Sequence, residues 1–151
     1  MNLDELTSVF EHSPWVAERA WPTGPFADLE SLHAAMVRQV AQASIEEKLA
    51  LIRAHPDLGA RAEMSASSVE EQAGAGLDRL TAEEFQRLHR LNGAYRDKFG
   101  FPFLLAVKNS TKHDILRGLE DRLMNSPDQE FDEALRQIYR IAWFRLQSIA
   151  G

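Results

Sequence analysis

No cysteine occurs among the 151 residues, which excludes disulfide staples, thiolate nucleophiles and cysteine-based zinc sites. There is no basic cluster either. Lys and Arg number 17 against 23 Asp and Glu, for a formal net charge of −6, which argues against nucleic acid as a partner. No stretch approaches the roughly 18 consecutive apolar residues of a membrane span. The start, MNLDELTSVF, lacks the basic-then-apolar pattern of an export signal, and the end, Ser148-Ile149-Ala150-Gly151, is not a peroxisomal Ser-Lys-Leu address. None of the five histidines is paired at metal-ligand spacing, so no protein-bound metal is expected. These exclusions leave a soluble, cytoplasmic protein with neither nucleic-acid nor membrane partners. With 44% hydrophobic and 26% charged residues and no low-complexity run, residues 1–151 read as a single globular domain.

The pattern that is present is helical almost throughout. Leu29, Leu32, Met36 and Val40 recur at three and four residues, which predicts a helix over 28–42. Four Ser/Thr-x-x-Glu/Asp matches mark helix starts at Ser44, Ser68, Thr81 and Thr111, and Ser126-Pro127 marks a fifth. Pro14, Pro22, Gly24 and Pro25 forbid a long helix over 11–25, where Trp15 and Trp21 are expected as lids or core plugs. Residues 100–107 have no helical period, and Pro102 breaks them early, so a short extended or irregular segment is expected there. Some backbone amides of such a segment have no helix bond to make and could face a ligand. The fold class is all-α: a single-domain bundle of about seven helices without significant sheet.

Candidate chemistry gathers at helix ends. Pro56 disfavours helical geometry at His55, so this imidazole sits where a helix stops. It could simply cap carbonyls there, but its intrinsic pKa near 6.5 makes it the best proton-transfer candidate of the five histidines. Ser68-x-x-Glu71-Gln72, followed by Ala73-Gly74-Ala75-Gly76, suits a short helix whose free amides face a small anion, or only a capping box. On the last helix, counted at about 100° per residue from Phe131, Leu135, Ile138, Ala142 and Ile149 form one stripe and Arg145 falls inside it. A buried guanidinium needs a carboxylate, carbonyls or an anionic ligand; otherwise the side chain must snorkel out. Trp143 and Phe144 fall off the stripe, as candidates for packing against another subunit or the N-terminal segment. Asn92 shares a stripe with Phe85 and Tyr95 and is expected inside.

Several motifs in order complete the picture: His12-Ser13-Pro14-Trp15-Val16-Ala17, His55-Pro56-Asp57-Leu58, Ser68-x-x-Glu71-Gln72 with Ala75-Gly76-Leu77, Leu91-Asn92-x-x-Tyr95 running into Lys98-Phe99-Gly100-Phe101-Pro102-Phe103, and Ile141-Ala142-x-x-Arg145-Leu146. Together they resemble the decarboxylases of 2-oxo-4-hydroxy-4-carboxy-5-ureidoimidazoline (OHCU), which end the route from urate to (S)-allantoin. The resemblance covers nearly the whole chain. It implies an all-helical enzyme that uses no cofactor and is usually a homodimer. It also implies His55 and Glu71 as catalytic residues, and Pro56, Ser68, Gln72 and Arg145 lining or contacting the substrate. Phe103, Leu104, Leu105, Ala106 and Val107 would add mainly backbone contacts. Lys108 stands where many relatives carry Arg, and Lys lacks the planar fork for a bidentate contact. Some relatives are fused to a hydroxyisourate hydrolase; here that hydrolase and the urate-oxidising enzyme are expected as separate pathway neighbours.

Two non-catalytic readings compete. The residues from Glu47 to Asp57 superficially resemble the helix and His-Pro-Asp loop of J-domain co-chaperones, but Glu46 and Glu47 offset Lys48 and Arg53 where those domains are strongly basic. A helical binding module that keeps the decarboxylase fold without its activity is the other.

Overall fold

The computed structural model describes residues 2–56, 80–108 and 110–151. The expected helix start at Ser68, with Glu71, Gln72 and the glycines after it, lies outside the described residues, as does Asp57. Among the described residues every element is helical and no strand occurs, as the periodicity implies. None of these helices is long and apolar enough to cross a membrane. The chain divides into two compact units, Met1–His55 with Ile138–Gly151, and Pro56–Gln137.

In the first unit, α1 (Leu3–Leu6) and α2 (Trp15–Ala20) are short, and a 3-10 turn (Trp21–Thr23) follows at the prolines. Helix α3 (Leu29–Ala41) is capped by Asp28, whose side chain accepts the Ser31 N–H at 2.8 Å. Helix α4 (Ile45–Ala54) opens on the full capping box of Ser44 and Glu47. Phe10, Val16, Met36, Leu51, Ile52 and Leu146 are buried in its core. The last helix joins this core through His33, whose Nε2 donates to the Tyr139 carbonyl at 2.8 Å and whose ring meets Trp143 edge-on at 5.3 Å. Trp143 therefore packs on α3 within the unit. Trp15 is half-buried under the Arg19 guanidinium, 4.6 Å from its ring, and Trp21 is 39% exposed, so neither is a core plug.

In the second unit, α5 (Ala82–Phe99) and α6 (Lys112–Arg122) each open on a capping box, Thr81 with Glu84 and Thr111 with Asp114. Helix α5 stops at Gly100, whose φ of 76° is left-handed geometry that a side chain would strain. Residues 101–107 then run without helix or strand, as Pro102 and the lost periodicity predict. Tyr95 anchors this segment, with Phe99, Phe103 and Phe101 at ring distances of 4.5, 5.3 and 6.0 Å. Phe85 departs from its expected inward stripe: it is 47% exposed and stacks on His89 one turn along. The long helix α7 (Pro127–Ala150) gives its first half to this unit and its second half to the other.

Candidate active site

Helix α4 ends because Pro56 forces the preceding residue into extended geometry, and His55 has φ −76° and ψ 139°. Its ring turns back so that Nδ1 lies 3.0 Å from the Leu51 carbonyl. A carbonyl can only accept, so the hydrogen sits on Nδ1 and the neutral ring keeps a bare lone pair on Nε2. That nitrogen is buried and has no hydrogen-bond partner among the described residues. The capping role and the proton-transfer role are thus compatible, one per nitrogen. Burial pushes the imidazole pKa down to about 4; the Leu51 carbonyl opposes that, Arg145 adds to it, Glu11 opposes it and His12 adds to it. At neutral pH the ring is uncharged.

Arg145 is 7% exposed, as its place in the apolar stripe implies. Its Nη1 lies 2.8 Å from Glu11 Oε2 and donates to the Val9 carbonyl at 3.3 Å, so a carboxylate and a carbonyl meet its charge and the side chain does not snorkel out. Glu11, itself 4% exposed, is brought inward by a tight turn in which Ser13 Oγ donates to the Glu11 carbonyl at 2.9 Å. The turn passes through His12 at φ 46°, a left-handed conformation costing of order 1 kcal/mol in a residue with a side chain. Glu11 is one of the residues that sequence reasoning missed. The only signal for it was the demand of Arg145 for a partner, which could not choose among 23 acidic residues.

In the second unit, Phe103, Leu104, Ala106 and Val107 are buried and Leu105 is half-buried. The Leu104 carbonyl accepts from Arg122 Nη1 at 2.5 Å, and the Ala106 N–H donates to Gln137 Oε1 at 3.0 Å. Arg122 is itself held by Glu130, Nε to Oε1 at 2.7 Å. Glu130 is fully buried and also accepts from the Tyr95 hydroxyl at 2.6 Å and from Asn125 Nδ2 at 2.8 Å. Burial, then that hydrogen bond to Glu130, raise the Tyr95 phenol far above its ordinary range. Sequence reasoning gave Arg122, Glu130 and Gln137 no role. Pro56 is half-buried, Lys108 exposed and Asn92 half-buried, while Ser68, Glu71 and Gln72 lie outside the described residues. Among the described residues no group of three or more His, Asp or Glu side chains is arranged to hold a metal ion.

The family model for OHCU decarboxylase matches residues 2–147. The chain belongs to the OHCU decarboxylase family. It is 46% identical over 147 residues to a 2-oxo-4-hydroxy-4-carboxy-5-ureidoimidazoline decarboxylase of Halalkalicoccus jeotgali, covering 97% of this chain and 84% of the relative. It is 49% identical over 146 residues to the uric acid degradation bifunctional protein PucL of Bacillus subtilis, covering 97% of this chain but only 30% of that longer protein. Among solved structures, an (S)-allantoin synthase superposes with a TM-score of 0.81 at 40% identity, over 97% of this chain and 48% of the other. An OHCU decarboxylase solved in the presence of (S)-allantoin superposes at 0.79 with 25% identity, over 96% of each chain. Family membership therefore rests on nearly the full length of this chain.

Proposed function

We propose that this chain decarboxylates OHCU to (S)-allantoin without a cofactor, and that the buried, unpartnered Nε2 of His55 is the group that moves the proton. The names of the relatives support the reaction. The observation that carries the role of His55 is its fixed tautomer: Leu51 holds Nδ1–H, which leaves a lone pair in a dry environment where no described residue uses it.

In this reading the substrate ring bears a carboxylate and a hydroxyl on one carbon, beside a carbon doubly bonded to nitrogen. When the bond to CO₂ breaks, its electron pair forms a carbon–carbon double bond and the C=N pair moves onto nitrogen, which takes a proton. His55 Nε2 accepts the hydroxyl proton as the carbonyl forms, and a proton is delivered to one face of the neighbouring carbon. The sum is one carboxylate and one proton giving allantoin and CO₂. Glu71 shares the catalytic role. Glu71 and Gln72 fix the ureido and ring N–H groups, Ser68 contacts the substrate, Arg145 and the 103–107 backbone hold carbonyl oxygens, and Pro56 lines the site. Positioning of this kind decides the enantiomer. The homodimer belongs to the same proposal.

The test is circular dichroism of (S)-allantoin formed from freshly generated OHCU in a coupled urate oxidation. The native chain is expected to accelerate formation of the (S)-enantiomer. His55→Asn is expected to lower kcat by about 10²–10⁴-fold, the usual worth of a general acid or base, while keeping its helical spectrum. Near-native turnover by a folded His55→Asn or His55→Ala variant would overturn the assignment.

A further inference from the structure

Two side chains hold consecutive peptide groups of the irregular run, and each does so from the opposite end. Arg122 Nη1 holds the carbonyl of the Leu104–Leu105 peptide at 2.5 Å, and Gln137 Oε1 takes the N–H of the Leu105–Ala106 peptide at 3.0 Å. A trans peptide is planar, with its C=O and N–H pointing in opposite directions. The Leu105 N–H must therefore face away from Arg122, and the Leu105 C=O away from Gln137. Among the described residues neither group has a hydrogen-bond partner. Leu105 is also the one residue of 103–107 that is not fully buried.

The holding groups are themselves fixed. Arg122 lies with its guanidinium 4.4 Å from the centre of the Phe103 ring and is tied to the fully buried Glu130, which Tyr95 and Asn125 also hold. Gln137 is oriented by Glu133, to which its Nε2 donates at 2.8 Å. Such preorganisation matters for a backbone contact, because a peptide group has no rotamer of its own to adjust and must be aimed by its neighbours.

We propose that Arg122 and Gln137 are positioning residues, clamping the Leu104 carbonyl and the Ala106 amide so that Leu105 offers its N–H and C=O as donor and acceptor to the amide edge of the substrate. An N–H beside a C=O is the chemistry of a cyclic ureide and of a ureido arm, and a donor–acceptor pair on one residue reads that edge in one register. The inference rests on the decarboxylase reading for its substrate. It extends that reading by giving roles to side chains that never touch the ligand.

The experiment uses the full chain with leucine labelled at nitrogen-15. In the native protein the Leu105 amide signal is expected to move on addition of (S)-allantoin. Gln137→Met removes one clamp and leaves Arg122 and Glu130 paired; Arg122→Lys keeps the charge and loses the fork. In each folded variant KM for OHCU is expected to rise about tenfold, the worth of one hydrogen bond, with kcat unchanged, and the Leu105 signal is expected to respond weakly to allantoin. An active native chain whose Leu105 signal ignores saturating allantoin overturns the clamp alone, as does a folded variant of either kind with native KM. A native chain that neither turns over OHCU nor binds allantoin overturns the decarboxylase reading and the clamp with it.

Discussion

At Glu11 and Arg145 two opposite charges lie 2.8 Å apart with almost no water around them. Each has surrendered its hydration, so the pair is worth less as a source of stability than as a mutual obligation. Glu11→Ala should strand the guanidinium and cost about 3–5 kcal/mol, read by urea unfolding. Arg145→Ala should strand the carboxylate at a similar cost, and removing both together should cost less than the sum. Losses in the double variant that equal the sum would show that the two do not act as a pair. His55 adds a pH dependence with a definite sign. Its folded pKa lies near 4, below the ordinary 6.5, so the unfolded chain binds the extra proton between those values. Its contribution to stability is therefore complete above about pH 6.5 and is lost as the pH falls toward 4, by up to about 1.4 kcal/mol per unit. His55→Asn should lack this slope, and the difference between the two unfolding curves across pH 4–7 measures it.

Helix ends were the most legible part of the molecule. The boxes at Ser44, Thr81 and Thr111 could be read because a cap is local: donor and acceptor lie three residues apart, and each is present with both reciprocal bonds. Ser44→Ala should destabilise the protein by about 1 kcal/mol through α4, the helix whose other end carries His55, and a thermal melt reports it. An unchanged melting temperature would mean that tertiary packing alone holds the first turn. The inward face of α7 was legible from its period, down to a charged residue buried inside it. Harder to read was its polar flank, where Glu130 and Gln137 sit seven residues apart and are buried too. Periodicity marks them only as polar. Their burial depends on Tyr95 and Arg122, 35 and 8 residues from Glu130, and on the Ala106 amide, 31 residues from Gln137, partners for which a helical period holds no signal.

For the whole molecule, class and order of elements follow from sequence because helices are built from near neighbours. The placement of Trp21 and Phe85 does not, since exposure depends on what other segments cover. The first unit is assembled from both ends of the chain, residues 1–55 and 138–151, whereas the second is one continuous stretch. On the ribosome the carboxylate of Glu11 is made 134 residues before its counter-charge, Arg145. A nascent chain must carry that acid unsatisfied, and so hydrated, until Arg145 has been made. Stalled chains of increasing length should show protease protection of residues 1–55 only after Arg145 has left the exit tunnel; protection in chains ending near residue 138 would show that the first four helices close without their ion pair.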